Sequence, residues 1–192
     1  YAYDRSDKKD ASRISLGGRL VADMLEAAGV DRVITMALHA PQVHGFFSVP
    51  VDHLTALGII AEYYRGQDLS NHVIVSQATL LARLLKLPVA AGNKQRLSDD
   101  KVKVESIVGD VAGKKAIVLD DEIATGGSVI EIVQRLIDFG ATEASVACTH
   151  GLFSGQAVQK LRSCEYITEV VSTSTVPAPA DFPELTTLSV AN

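Results

Sequence analysis

Two adjacent carboxylates and a run of small residues lie close together in the stretch IVLDDEIATGGS, residues 117–128. Backbone N–H groups at the start of a helix carry partial positive charge, and Gly126 and Gly127 would let the chain turn tightly around an anion such as phosphate. Thr125 and Ser128 add hydroxyl donors. Either hydroxyl could instead be an ordinary helix N-cap, and the loop taken alone favours that interpretation.

The acid pair changes the balance toward a ligand site. Asp120 and Asp121 cannot serve a phosphate, but their carboxylates can accept hydrogen bonds from neutral hydroxyls. A ligand with a phosphate at one end and a vicinal diol at the other, such as ribose 5-phosphate, satisfies both features. The pattern predicts that the acids hold O2 and O3 of the sugar, that the segment 124–128 holds the 5-phosphate, and that a divalent cation could share the diol side.

Apolar runs alternate with helical patterns along the rest of the chain. The predicted helices cover 16–28, 55–64, 78–86, 128–140 and 156–162. The predicted strands cover 33–38, 72–76, 87–93, 115–121, 144–151 and 167–177, and the polar stretch that begins at Asn93 alternates like a hairpin. Because the strands are apolar rather than alternating, they indicate a parallel sheet with helices on both faces. Ligands of such sheets bind at the carboxyl ends of the strands, which is where the acid pair and the loop lie.

Composition limits the classes of partner. The chain has 192 residues, 47% of them hydrophobic, and a net charge of −5, so there is no basic excess to attract nucleic acid or an anionic membrane. Two cysteines, Cys148 and Cys164, fit neither a zinc signature nor a disulfide scaffold, which favours a cytoplasmic location. No apolar run approaches the roughly 20 residues that span a bilayer. The first residue is not Met, and the end TTLSVAN resembles an interrupted strand, so we expect a part of a longer protein.

Several stretches in the same order resemble the ribose-phosphate diphosphokinase (phosphoribosyl pyrophosphate synthetase) family, relatives of the phosphoribosyltransferases. Besides DDEIATGGS, they are YDRSDKK, RVITMALHAPQVHGFFSVPVDHL, GNKQR, CTHGLFSG and VSTSTVP. The resemblance covers nearly the whole chain. It implies an α/β protein with two phosphoribosyltransferase-like domains, whose parallel sheets are flanked by helices. Residues 1–54 would be the last part of the N-terminal domain, and 55–192 the C-terminal domain that binds ribose 5-phosphate.

The resemblance also implies roles for individual residues. The reaction would move the diphosphoryl group of ATP to the 1-hydroxyl of ribose 5-phosphate, with Mg²⁺ as cofactor and a homo-oligomer, dimer or hexamer, as the assembly. ATP would be bound by Arg5, Ser6, Asp7 and His39. The catalytic-loop cations would be Lys94 and Arg96. Ribose 5-phosphate would be bound by Arg96, Asp120, Asp121, Ala124, Thr125, Gly126, Gly127 and Ser128. The metal would be bound by His39 and Asp52.

The sequence departs from the family pattern at several places. Ser6 stands where the family usually has Gln, and Ala37 and Ser48 stand where it often has acids. The strand ending at Ser76 runs almost directly into a helix where the family has an acid- and glycine-containing loop with a Lys. Either this loop is deleted or its residues are missing from this sequence, and the start and end of the chain favour the second explanation. Two alternatives therefore stay open: a phosphoribosyltransferase that consumes phosphoribosyl pyrophosphate, or a non-catalytic regulatory subunit associated with a synthetase.

Overall fold

The computed structural model describes residues 16–76, 79–98 and 101–191, with the backbone alone at 92–98 and 101–106. The chain divides into two compact units, Tyr1–Ala56 and Leu57–Asn192. Within the described residues no helix is both long and apolar enough to cross a bilayer.

The first unit contains a helix α1 (Gly17–Ala27), two parallel strands β1 (Val33–Met36) and β2 (Val51–Leu54), and a 3₁₀ helix (Pro41–Phe46) between the strands. Strand β1 is shorter than predicted because Ala37 adopts a left-handed backbone conformation, with φ at 45°. Strand β2 was not predicted. The 3₁₀ helix and its flanks form a small apolar cluster from Leu38, Ala40 and Val43, with Phe46 and Phe47 packed against it.

The second unit is a seven-stranded sheet covered by helices. Its helices are α2 (Leu57–Arg65), α3 (Leu80–Leu85), α4 (Gly127–Asp138) and α5 (Ala157–Ser163). Its strands are β3 (His72–Val75), β4 (Val89–Ser98), β5 (Lys101–Val108), β6 (Lys115–Ile123), β7 (Glu143–Gly151), β8 (Ile167–Thr173) and β9 (Thr186–Leu188). The strand order is β5-β4-β3-β6-β7-β8-β9. All neighbouring pairs are parallel except β4 and β5, which form an antiparallel hairpin where the sequence predicted one.

Strand β6 explains why the sheet needs helices on both faces. Its residues Ala116 and Val118 belong to a buried cluster formed with α4 and α5, whereas Ile117 and Leu119 belong to a second cluster formed with α2 and α3. Successive side chains of a strand point to opposite faces, so an apolar run of this kind buries both faces of the strand. The predicted two-sided covering of a parallel sheet is confirmed.

The order of the strands places a crevice at the end of β6. From β3 the chain proceeds to β4 on one side, and from β6 it proceeds to β7 on the other side. The connections therefore diverge between β3 and β6, and such switch points are where doubly wound sheets bind their ligands, just beyond the carboxyl ends of the strands. The acid pair and the glycine loop lie at this point.

Candidate functional site at the end of strand β6

The loop between β6 and α4 is shaped by a glycine. Gly126 is the N-cap residue of α4 and has φ at 74°, in the left-handed region that glycine adopts without strain. It has no side chain to accept a bond from the helix, and no side-chain cap is formed there. The interpretation of Thr125 or Ser128 as an ordinary N-cap is thus not what the structure shows. The first amides of a twelve-residue helix are left for solvent or for a ligand.

The carbonyl groups before that glycine are bound on the side of the β7–α5 connection. The Ile123 carbonyl accepts bonds from the backbone N–H groups of Leu152 and Phe153, at 3.0 and 3.1 Å, and the Ala124 carbonyl accepts one from Ser154 at 2.8 Å. These three bonds fix the start of the loop against the β7–α5 connection. Thr125, Gly127 and Ser128 are exposed, so a phosphate has access to the loop.

The β7–α5 connection is itself held by close packing. A Cβ atom at Gly151 would lie 2.3 Å from Cε2 of Phe153 and 3.0 Å from Cβ of Ser172, far inside van der Waals contact. The Phe153 ring is buried and meets the ring of Phe182 edge to face at 5.4 Å. The absence of a side chain at Gly151 therefore allows Phe153 to pack where its amide can reach the loop.

Three consecutive acids, rather than two, end strand β6. Asp120, Asp121 and Glu122 are all half-buried, and the Asp121 N–H donates to Oδ1 of Asp120 at 2.9 Å. Consecutive strand residues face opposite sides, so Asp120 and Asp121 flank the strand end. Glu122 is not among the predicted site residues, although it stands in the same DDE triplet.

Strand β7 places two further groups beside these acids. Asp120 is in register with Cys148, and Glu122 with His150. Burial, together with the charge of Asp120, raises the pKa of the Cys148 thiol, so this cysteine is neutral and acts as a packing residue.

His150, also not singled out from the sequence, has a defined hydrogen-bond partner. Its Nδ1 lies 2.9 Å from Oγ1 of Thr175, whose hydroxyl donates to the Thr149 carbonyl at 2.9 Å. Because the hydroxyl proton is directed at that carbonyl, the imidazole Nδ1 acts as the donor to Thr175.

The two predicted site residues of the first unit that the structure describes, His39 and Asp52, have different surroundings from one another. His39 is exposed just beyond β1. Asp52 is level with Ile34 within the strand pair, and its Oδ2 accepts a bond from Nε of Arg32 at 2.5 Å, which lowers the pKa of the carboxyl. One carboxylate oxygen is thus committed to Arg32. Among the described residues no group of three His, Cys, Asp or Glu side chains could hold a metal ion.

The remaining predicted site residues lie near the start of the chain and on β4. Arg5, Ser6 and Asp7 lie outside the described residues. Lys94 and Arg96 lie on β4, where their backbones pair with Val104 and Val102 of β5. Their side chains are outside the described part. The backbone nevertheless places both residues in the hairpin at the edge of the sheet rather than in an irregular loop.

The fold and the loop define a class of protein: doubly wound α/β domains in which a strand, an acid cluster, a glycine loop and a helix form an anion-accepting site at the switch point. Comparisons with known proteins narrow this class. Residues 73–189 match the family described as "Phosphoribosyl synthetase-associated domain". A Streptomyces coelicolor relative is 55% identical over 188 residues, and the "Ribose-phosphate pyrophosphokinase" of Deinococcus radiodurans is 45% identical over 190. Each alignment covers 94% of this chain.

A solved structure agrees with these relatives. The crystal structure of phosphoribosylpyrophosphate synthetase from Mycobacterium smegmatis is 38% identical, with a TM-score of 0.88 over 99% of this chain and 65% of that one. The chain belongs to the phosphoribosyl pyrophosphate synthetase family, and the predicted fold class is confirmed. It spans 59% of the length of the two relatives.

Proposed function

We propose that the protein to which this chain belongs is a ribose-phosphate diphosphokinase, which makes phosphoribosyl pyrophosphate and AMP for nucleotide biosynthesis. The observation that carries the proposal is the end of β6, where three acids are followed, after residues 123–125, by a glycine-capped helix start at the switch point of the sheet. Residues 1–54 and 55–192 would be parts of two phosphoribosyltransferase-like domains. The protein would be a cytoplasmic homo-oligomer, a dimer or a hexamer, with neither nucleic acid nor membrane as a partner.

Ribose 5-phosphate would lie across the end of β6. Its phosphate would accept bonds from the amides of 125–128 and from the hydroxyls of Thr125 and Ser128, with Ala124, Gly126 and Gly127 shaping the cradle. Asp120 and Asp121 would receive the 2- and 3-hydroxyls from the two sides of the strand end. This arrangement holds the sugar at both ends and leaves O1 as the part that meets the second substrate.

The transfer itself needs alignment and charge neutralisation. O1 of the sugar attacks the β-phosphorus of ATP, the bond from that phosphorus to the bridging oxygen of AMP breaks, and the O1 proton is lost to solvent or base. Lys94 and Arg96 would neutralise charge on the transferred group, and Arg96 would also contact the sugar phosphate. His39, with Arg5, Ser6 and Asp7, would bind ATP.

Mg²⁺ would enter with ATP and neutralise charge on its phosphate oxygens, and phosphates would supply most of its ligands. His39 is exposed and suits contact with that complex. Asp52, the second predicted metal ligand, is bound to Arg32 through Oδ2.

The direct test is product analysis with the intact protein. Supplied with ATP, Mg²⁺ and ribose 5-phosphate, it should release AMP and form phosphoribosyl pyrophosphate in equal amounts. Pyrophosphate release from phosphoribosyl pyrophosphate only when a nucleobase is added would instead indicate a phosphoribosyltransferase. A folded protein that does neither, but raises the activity of a separate synthetase, would be a regulatory subunit.

A further inference from the structure

The turn that follows β1 is held in an unfavourable backbone conformation. Ala37 has φ at 45°, where a residue with a Cβ atom is strained. Two consecutive amides of this turn are bound by the end of β2: the Ala37 N–H donates to the Leu54 carbonyl at 2.9 Å, and the Leu38 N–H donates to Nε2 of His53 at 3.0 Å. The neighbouring strand thus fixes the turn on both sides of the strained peptide.

The second of these bonds has a side-chain acceptor, because the backbone pairing of β1 with β2 ends at this point. Strands β1 and β2 are paired as far as Met36 and Leu54, and the Leu54 carbonyl is already used by Ala37. The His53 imidazole supplies the acceptor for the next amide. Leu38 is only 6% exposed, so its N–H would be costly to leave without a partner.

The same imidazole also contacts the 3₁₀ helix. Its ring meets that of His44 edge to face, with the centroids 5.0 Å apart and the planes at 85°. His53 is therefore in contact with the turn after β1 and with the helix that begins a few residues later. It joins two segments that flank His39.

His39 lies between two fixed residues. Leu38 and Ala40 are both part of the buried cluster, 6% and 4% exposed, whereas His39 itself is exposed. We propose that His53 is a positioning residue, which holds the peptide at Leu38 and so fixes the direction in which the His39 ring meets the phosphates of ATP. This inference rests on the proposed function, because that function assigns ATP to His39.

Two substitutions separate the acceptor from the ring. His53→Phe keeps a ring for His44 and removes the acceptor, whereas His53→Gln loses the ring but places an oxygen at about the reach of Nε2. In the intact protein, His53→Phe should weaken the binding of a non-hydrolysable ATP analogue with Mg²⁺ about tenfold, because the displaced His39 ring would no longer meet the phosphates in the right direction. Calorimetry measures this affinity. Affinity for ribose 5-phosphate should stay within about twofold, and His53→Gln should restore most of the ATP affinity.

His44→Phe is the matched control, since it changes the ring in contact with His53, and its Nε2 has no hydrogen-bond partner among the residues that the structure describes. It should leave both affinities unchanged. Exchange of the Leu38 amide, followed by NMR, should become about tenfold faster in His53→Phe alone.

The inference is overturned if His53→Phe binds the ATP analogue as wild type does, or if both affinities fall together. A His53→Gln variant as weak as His53→Phe, with its fold intact by circular dichroism, would also overturn it. Failure of the proposed function is a separate result: the wild type would form no AMP, whatever the His53 variants do.

Discussion

Asp120 and Asp121 are the two adjacent acids to which we assign the sugar hydroxyls. Both are half-buried at the end of β6, and the bond from the Asp121 N–H to the Asp120 carboxylate fixes the first acid relative to the second. Since the two side chains leave the strand on opposite faces, neither can replace the other. In the proposed complex, a diol that extends across the strand end would use both.

Substitution of either acid should therefore weaken sugar binding without affecting phosphate binding. For Asp120→Asn and Asp121→Asn we expect the affinity for ribose 5-phosphate to fall about 10- to 100-fold, because a hydrogen bond to a charged acceptor contributes ~1.5–3 kcal/mol. Calorimetry with ribose 5-phosphate and with inorganic phosphate measures the two effects separately. Asp138→Asn at the far end of α4 should change neither affinity, and a loss of phosphate affinity in the acid variants would contradict the assignment.

Gly126 allows a test of the loop by backbone strain alone. A Cβ atom there would meet Ala157 at 3.7 Å, an ordinary contact, so Gly126→Ala introduces strain at φ 74° and no clash. We expect the free energy of unfolding to fall by about 1–2 kcal/mol. The measurement is urea unfolding.

Gly58→Ala is the matched control, because Gly58 lies inside α2, has open space around its Cβ position and needs no left-handed conformation. Alanine there should raise the free energy of unfolding by up to ~1 kcal/mol. A Gly126→Ala variant that is as stable as wild type would show that the loop is not held in the left-handed form.

At the scale of elements, helix α2 is attached to the sheet by a polar network as well as by apolar packing. Tyr63 donates its hydroxyl proton to Oε1 of Glu169, and Ser145 donates to Oε2 at 3.1 Å. The hydroxyl oxygen of Tyr64 lies 2.5 Å from Oγ of Ser145. Because the Ser145 proton is directed at Glu169, the Tyr64 hydroxyl is the donor in this bond. The network links α2 to β7 and β8.

This network predicts a loss of stability at alkaline pH. Burial raises the pKa of the Tyr64 phenol, so the folded protein keeps a proton that the unfolded chain loses above its ordinary pKa of about 10. Stability contributed by this phenol is fully present below pH 10 and declines as the pH rises above it. Urea unfolding between pH 8 and 11 should show this decline in wild type and a smaller one in Tyr64→Phe.

At neutral pH the same Tyr64→Phe variant should be about 0.5–1.5 kcal/mol less stable than wild type, because a buried hydrogen bond is lost while the ring is kept. Tyr166→Phe, a substitution outside the network, is the control. Equal alkaline profiles for wild type and Tyr64→Phe would show that Tyr64 does not ionise on unfolding in this range.

The sequence predicted the helices and strands whose residue patterns are complete within one short stretch of the chain. The apolar run of β6, the acids and the glycines of 126–127 follow one another directly, so the strand, the loop and the helix could be predicted together. Strand β2 could not, because it has only four residues, two of them Asp52 and His53, and pairs with β1 across the 3₁₀ helix. The His53 contact was equally hidden, since its partner Leu38 lies fifteen residues away.

At the scale of the whole molecule, the two units carry separate parts of the proposed chemistry. His39, to which we assign ATP, belongs to Tyr1–Ala56, and the proposed sugar-phosphate site belongs to Leu57–Asn192. We therefore expect each substrate to stabilise the unit that contains its proposed site more than it stabilises the other unit.

Hydrogen exchange measured by mass spectrometry can test this separation in the intact protein. Ribose 5-phosphate at a hundred times its dissociation constant should slow exchange of the first-turn amides of α4 by up to about 100-fold, while peptides of the first unit stay within twofold of the free protein. An ATP analogue should slow exchange around Leu38 to Ala40 instead. Protection of residues 37–40 by ribose 5-phosphate alone would contradict the assignment of substrates to units.

Gly151 connects the packing of the β7–α5 connection to the loop of the proposed sugar-phosphate site. A methyl group at this position would displace the Phe153 ring, and with it the amide that binds the Ile123 carbonyl at the start of the loop. A glycine-to-alanine exchange at this position is therefore expected to disturb the proposed sugar-phosphate site, although every side chain assigned to the sugar phosphate is still present.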